Sequence, residues 1–345
     1  MTGKSYKDLE REVWNEGICA GCGACVAVCP ADAIFFPPGT QATHPVQGGY
    51  CKEATDRVPC GACYAVCPRV PGEPVSSASL GEYQEILSGK AGFDVPGKQS
   101  GGAVTAILLH ALEAGLIDAV VTVAEDRWNH RPASIVITTD EVLVHQAGSR
   151  YNWWVPLVAS LKEAAIIRKY RRIAVVGVPC VVAALARIRA SDNQILRPFQ
   201  KSIRLVIALF CTESFDYERL VEEKLGKEYK IPPWQIARLD VKGKLEVTRS
   251  TGESLVLPLA SLESCIRPGC HVCTDFTGAG SDISAGSVGA PDGFTTLLIR
   301  TDTGKGFVDG AVQSGRLLLG AEPEIAPIEK LAVKKRKRKK VGIPE

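Results

Sequence analysis

The residues most able to do chemistry are the thirteen cysteines, and the first four follow a rule. In "CAGCGACVAVCP", Cys19, Cys22, Cys25 and Cys29 stand at C-x2-C-x2-C-x3-C and end on Pro30. Three thiolates on one tight loop, with a fourth set before proline, suit a [4Fe-4S] cube whose fourth ligand comes from another run. The stretch "CKEATDRVPCGACYAVCP" nearly repeats the pattern, with Cys60, Cys63 and Cys67 in register and Cys51 displaced upstream. Two half-motifs make two cubes: Cys19, Cys22, Cys25 and Cys67 on one, and Cys51, Cys60, Cys63 and Cys29 on the other. The spacing of Cys51 fits a lengthened loop, with a three-iron cluster lacking that ligand as the alternative. Glycine and alanine fill the loops, which lets backbone amides approach the sulfides.

Two other readings of these cysteines fit less well. Disulfide frameworks belong to small secreted domains, whereas the chain opens "MTGKSYKDLEREVW", charged where a signal peptide needs an apolar core. The thiols are expected to be reduced and intracellular. Structural zinc takes pairs of C-x2-4-C ligands, and the third and fourth cysteines would be surplus.

Five cysteines come later. Cys180 and Cys211 follow apolar runs that read as strands, and "CIRPGCHVC" carries Cys265, Cys270 and Cys273. Spacing alone leaves three readings open: a third cluster, zinc on the C-x2-C pair, or packing thiols. Local spacing favours Cys265, Cys270 and Cys273 as a compact loop, and His271 within it reads as solvent-facing. A glycine-rich stretch from Gly92 to Lys98 satisfies G-x4-G-K, yet Gln99 stands where a P-loop needs Ser or Thr, and no clear strand leads in. A nucleoside triphosphatase is excluded. A glycine-rich loop opening a helix still offers amides to a phosphate, with a plain turn as the alternative.

The elements that must position these groups form an α+β chain. A bacterial-type two-[4Fe-4S] ferredoxin-like domain (1–75) precedes a larger mixed α/β domain (76–330) and a basic tail (331–345). The Pro-, Ser- and Gly-rich stretch from Pro71 to Ser79 marks the boundary. Past it, Val104 to Leu112 reads as a helix stopped at Gly115, followed by a strand from Ile117 to Val123. "SIVITT", "RIAVVGVPC" and "SIRLVIALFC" read as buried strands separated by helices, an α/β layer. "IARLDVKGKLEVTRSTGESLVLPL" has the short runs and turns of antiparallel strands. The longest apolar run, from Ile173, is too short to span a membrane and contains Pro179. Net charge is +3, but "KKRKRKK" at Lys334–Lys340 carries seven positive charges. Such a run is expected not to fold on itself. It is either a solvated end or a docking element for an acidic partner or anionic surface; nothing resembles a reader of nucleic-acid bases.

"GKQSGGAVTAILLHALEAGLIDAVV", "GSRY", "VGVPC", "LFCTESF", "CHVCTDFTGAGSDISAGSVGAPDG" and "TTLLIRTDTGKG" occur in order. Together they resemble the beta subunits of coenzyme F420-reducing hydrogenases and their relatives over roughly residues 80–320. The two-cluster front most resembles the electron-input subunit of F420H2 dehydrogenases in archaeal membrane complexes of methanogenesis. Hydrogenase and formate dehydrogenase beta subunits resemble only the large domain, and a fused sulfite reductase would need a sirohaem domain as well. The resemblance implies FAD held by Lys98, Gln99, Ser100, Gly101, Gly102 and Thr105, by Ser149, Arg150 and Tyr151, and by Ser284, Gly286, Ser287 and Gly289. It also implies a third [4Fe-4S] cluster on Cys180, Cys211, Cys270 and Cys273, leaving Cys265 over.

The implied activity is that of a cytoplasmic oxidoreductase bound peripherally to the membrane's inner face. It would take hydride from F420H2 onto FAD, which splits the pair into single electrons for the cubes. The acceptor would be a complex I-like membrane assembly reducing quinone or methanophenazine. The alternatives are a soluble F420H2:ferredoxin oxidoreductase and a non-enzymatic iron–sulfur carrier. Lys98, Arg127, Arg131 and Arg150 are candidates to meet the anionic tail of coenzyme F420. No general base is identified, and no G-x-G-x-x-G fingerprint for NAD is present.

Overall fold

The computed structural model describes residues 3–37, 42–71, 80–126, 128–151 and 155–338. Most of the expected linker, the candidate Arg127 and the last residues of the basic run lie outside them.

The first unit comprises α1 (Tyr6–Leu9, running on into a π-helical Glu10–Trp14), α2 (Ala24–Val28), the hairpin pair β1 (Ile34–Phe35) and β2 (Val46–Gln47), α3 (Lys52–Asp56) and α4 (Ala62–Ala65). Ser5 opens α1 in a capping box with Asp8. Gly23 and Gly61 precede α2 and α4 in left-handed conformations, φ 81° and 59°. A side chain there would be strained, so glycine lets each cysteine loop turn directly into the helix that carries the next cysteine.

The second unit contains β3 (Glu85–Ala91), α5 (Ala103–Glu113), β4 (Ala119–Glu125), β5 (Pro132–Ile137), α6 (Asp140–His145), α7 (Ala159–Lys162), β6 (Ile173–Gly177), α8 (Pro179–Ala190), α9 (Arg197–Ser202) and β7 (Ile203–Leu209). After a π-helical stretch (Glu218–Glu228) come β8 (Ile236–Val241), β9 (Lys244–Arg249), β10 (Ser254–Pro258), β11 (Ile283–Gly286), β12 (Thr295–Ile299), α10 (Asp302–Gln313), β13 (Leu317–Leu319) and α11 (Ile325–Arg338). An eight-stranded sheet runs β13-β3-β12-β11-β7-β6-β4-β5, and β8, β9 and β10 form a separate antiparallel sheet. Within the large sheet β4, β6, β7 and β11 are parallel. Because β12 is antiparallel to both β11 and β3, β3 shares their direction.

Helices cover both faces, which is why the central strands are apolar throughout. Along β6, Ile173 and Val175 enter a core with α7 and α8, whereas Ala174 and Val176 enter one with α5 and α10. Phe215, Tyr217, Leu245, Val247 and Leu262 form a further core against the small sheet.

Three expectations are corrected. A strand does lead into the glycine-rich loop: β3 ends at Ala91, immediately before Gly92, and its Ser88, Gly89 and Lys90 hid it among apolar runs. The "SIVI" of "SIVITT" lies in β5, only partly buried because the strand sits at the sheet edge against β4 alone. The basic run does not stay unfolded: residues 334–338 continue α11. Its stripe Ile328, Ala332, Lys335 is buried, while Lys334 and Lys337 are exposed.

The two units share one core. Ala24, Ala27, Val28, Ala62 and Val66 pack with Val158, Leu161, Val181 and Leu185 across the junction; burying each of the larger side chains contributes on the order of 1.5–3 kcal/mol. Polar contacts fix the register: Val158 N donates to Cys22 O at 2.8 Å, Arg187 Nε to Ala65 O at 2.9 Å and Asn193 Nδ2 to Cys60 O at 2.7 Å. Glycine has a second role here. A Cβ on Gly21 would collide with the Arg267 guanidinium and one on Gly23 with Pro156, so these loop glycines serve docking as well as sulfide access.

Candidate functional site

In the first unit, the thiols with mutual electrostatic influence fall into two sets. Cys25 is influenced by Cys19, Cys22 and Cys67, and more weakly by Cys63. Cys63 is influenced by Cys60, Cys29 and Cys51. The second set lines a cavity of about 260 Å³ with Tyr6 and Ile34. Burial pushes Cys22 and Cys25 far up, Cys63 to about 12 and Cys67 to about 11. Thiols held this way become ligands only by exchanging proton for metal. A backbone donor is already aimed at one of them: Gly21 N lies 3.3 Å from Cys19 Sγ.

At the carboxyl ends of the parallel strands, Cys180 sits in the first turn of α8 after β6, and Cys211 follows β7. Cys270 ends a 3-10 turn, Pro268–Cys270, three residues before Cys273. These four line one cavity, and Cys22 of the first unit lines it too. Cys265 is elsewhere, buried in the core of the small sheet with Phe215 and Leu262. His271 is partly exposed, 3.7 Å from Glu263. Among the described residues no three His, Cys, Asp or Glu side chains close on a single-ion site.

The cavity wall between the two units is cationic. Arg69 donates to Gly269 O at 2.8 Å and hydrogen-bonds Cys273. Arg267 donates to Ala20 O and Thr43 O, tying the cysteine loop of the first unit to the second. Lys335, buried on α11, donates to Cys211 O at 2.5 Å. Burial pushes Cys180 up to about 11 and Cys211 well above the usual thiol range. Burial would raise Cys273 as well, but Lys335 and Arg69 outweigh it and hold that thiol below its ordinary value. Two buried donors lining the cavity, Ser214 Oγ and Arg69 Nε, have no hydrogen-bond partner among the described residues. Thiols and idle donors around one space fit an anionic group rich in acceptor sulfides.

The residues expected around FAD divide. The loop from Lys98 to Gly102 opens α5 at the same carboxyl edge; Gly102 is left-handed, φ 73°, and no side chain caps the helix. Lys98 is exposed beside it, and Thr105 lies in the first turn. Ser100 Oγ is 3.1 Å from Thr295 Oγ1, and Gln99 donates to Leu239 O at 2.6 Å while accepting from Tyr151 at 3.4 Å. Ser149 adjoins Arg150, which donates to Gln146 O at 2.8 Å and lies 3.8 Å from Glu125. Ser284, by contrast, is wholly buried in β11, its hydroxyl held by Arg300 at 2.7 Å. Gly286 makes way for Phe210, and Gly289 for Glu324 O; Ser287 lies between them. These glycines answer to packing. Arg131 faces Glu222 at 3.6 Å and lies over Tyr217.

Sequence reasoning missed Lys335, Arg69, Arg267 and Ser214. Only Lys335 left a signal, since it prolongs the Ile328–Ala332 stripe by one helical turn.

An α/β sheet carrying cysteines at its carboxyl edge, with a two-motif cysteine unit docked against them, defines an iron–sulfur electron-transfer protein. Residues 12–35 match a 4Fe-4S binding domain, and residues 86–162 and 170–324 match the N- and C-terminal parts of the coenzyme F420 hydrogenase/dehydrogenase beta subunit. The chain belongs to this family of F420-dependent oxidoreductases. It is 40% identical to an uncharacterized protein of Methanocaldococcus jannaschii over 98% of each chain. It is 33% identical to a subunit of the F420H2 dehydrogenase of Methanosarcina mazei, over 94% of this chain and 91% of that one. It also resembles a chain of the F420-reducing [NiFe] hydrogenase complex of Methanosarcina barkeri, with a TM-score of 0.71, 29% identity, and coverage of 78% of this chain and 93% of that one. Among the described residues no helix is long and apolar enough to cross a membrane.

Proposed function

We propose that this chain is the electron-input subunit of an F420H2 dehydrogenase, holding one FAD and three [4Fe-4S] clusters. The observation that carries the reading is the shared cavity: Cys180, Cys211, Cys270 and Cys273 surround a space that Cys22 of the first unit also borders. Bound FAD supplies hydride acceptance from F420H2, and the cubes supply single-electron transfer. The chain's own part is positioning. The uncapped start of α5 with Lys98 suits a phosphate of FAD. Cys180, Cys211, Cys270 and Cys273 would hold one cluster; Cys19, Cys22, Cys25 and Cys67 the next; and Cys29, Cys51, Cys60 and Cys63 the outermost. The shared core between the units keeps the second set against the first. Likeness to part of an F420H2 dehydrogenase along nearly the whole chain favours a membrane complex as acceptor, met through the protein surface on the cytoplasmic side.

Anaerobically prepared protein should hold about twelve irons and one FAD per chain, and F420H2 should bleach the flavin while NADH does so poorly. About eight irons would remove the third cluster, and efficient NADH oxidation would overturn the choice of donor.

A further inference from the structure

The basic run near the chain's end has the composition of a solvated tail, yet one of its lysines is buried in the interior. Lys335 is 2% exposed and lines the same cavity as the four late cysteines. Its ammonium donates to the carbonyl of Cys211, and no carboxylate stands within ion-pair distance of it among the described residues. The nearest acidic influence is Asp275, whose oxygens accept the amides of Thr277, Gly278 and Ala279. Burying an ammonium without a counter-charge is unfavourable. Neighbouring positions on the stripe, Ile328 and Ala332, show that α11 can be buried there by apolar side chains alone.

The other two cations have different employment. Arg267 is committed to Ala20 O and Thr43 O across the junction, and Arg69 to Gly269 O. Both of those contacts tie the two units together, whereas the Lys335 ammonium donates within the second unit, to the carbonyl of Cys211. A thiolate-bound cube is anionic and gains a further negative charge on reduction, and net charge near a cluster sets its potential.

We propose that Lys335 is the positioning residue that raises the reduction potential of the cluster on Cys180, Cys211, Cys270 and Cys273, by placing a fixed positive charge against it. The inference rests on the third cluster proposed above. The step concerned adds one electron to that cube. In the working protein the electron comes from F420H2 through bound flavin; in the test it comes from dithionite. With this cluster raised, the first electron leaving the flavin is held beside it, and the docking of the two units offers it the cluster bordered by Cys22 as its exit.

The test is a dithionite titration followed by electron paramagnetic resonance, with iron counted, on the anaerobically prepared full chain and its Lys335→Gln and Lys335→Arg variants. Lys335→Gln should keep about twelve irons and move one cluster signal to lower potential. Its reduction equilibrium should weaken at least about tenfold, or about 59 mV for one electron. Lys335→Arg should stay near the wild type. If Lys335→Gln loses about four irons while Lys335→Arg keeps them, the positive charge holds the cluster in place rather than setting its potential, and the proposal is overturned. An unshifted Lys335→Gln, an equal shift in both variants, or iron loss in both would overturn it. Wild-type protein holding only about eight irons would remove the third cluster itself and this proposal with it, a failure the iron count separates from the others.

Discussion

The cavity of Cys180, Cys211, Cys270 and Cys273 and the cavity of Cys29, Cys51, Cys60 and Cys63 offer the same ligands in opposite surroundings. The first is walled by Arg69, Arg267 and Lys335 and contains the idle Ser214 hydroxyl. Beside the second lies Glu53, a buried carboxyl group that accepts the Cys60 amide and whose other oxygen has no partner among the described residues. That amide is thereby withdrawn from any sulfide. Lys52 borders the second cavity too, but it is half-exposed, so solvent screens it. Thiolate ligands alone do not set a potential; charge and hydrogen bonds around them do. The contrast implies an inner site that holds an electron well and an outer site that holds it poorly.

The largest effect should come from removing a ligand. Cys211→Ala is expected to lower iron by about four per chain and stop electron flow beyond the flavin, while Cys265→Ala keeps the full complement. Iron analysis showing the reverse would dissolve the inner site and the comparison with it. Next is the junction that sets the two sites side by side. Gly21→Ala drives a Cβ into the Arg267 guanidinium at φ 58°, so thermal melting should show a loss of about 1–3 kcal/mol. An unchanged melt would mean that Arg267 is free to move aside.

A smaller shift tests the outer site. Glu53→Gln keeps an acceptor for the Cys60 amide but removes the charge, so the outermost cluster should become easier to reduce, by up to about tenfold or about 59 mV. A potential that stays put or falls would break the contrast at its weaker end. The smallest effect concerns the outside of α11. Deleting Lys334–Lys340 would also take Lys335 out of the inner site, so the clean change is Lys334→Glu with Lys337→Glu, both exposed. If these residues dock the chain on an acidic surface, association should weaken at low salt and F420H2:dye turnover should be unaffected, because exposed charges are screened within roughly 8 Å at physiological ionic strength. Equal association at every salt concentration would leave them as solvated ends.

Local patterns were legible because they encode local geometry. C-x2-C-x2-C-x3-C-P places its thiols within one loop and one helix whatever surrounds them, so the cysteines of the first unit could be named from spacing. The apolar runs of β6 and β7 are strands covered on both faces, and the turn-rich stretch from Ile236 to Pro258 is a three-stranded antiparallel sheet. β3 was missed because Ser88, Gly89 and Lys90 interrupt its apolar run. The later cysteines were another matter: by spacing, Cys265 belongs with Cys270 and Cys273, yet the 3-10 helix from Leu259 turns it into the core of the small sheet. Cys180, Cys211, Cys270 and Cys273 come together only because parallel strands deliver their carboxyl ends to one edge. Lys335 is the plainest case, since seven consecutive basic residues look like solvent from the sequence. The helical period, set by where α11 begins and what it packs on, turns one of them inward against Cys211.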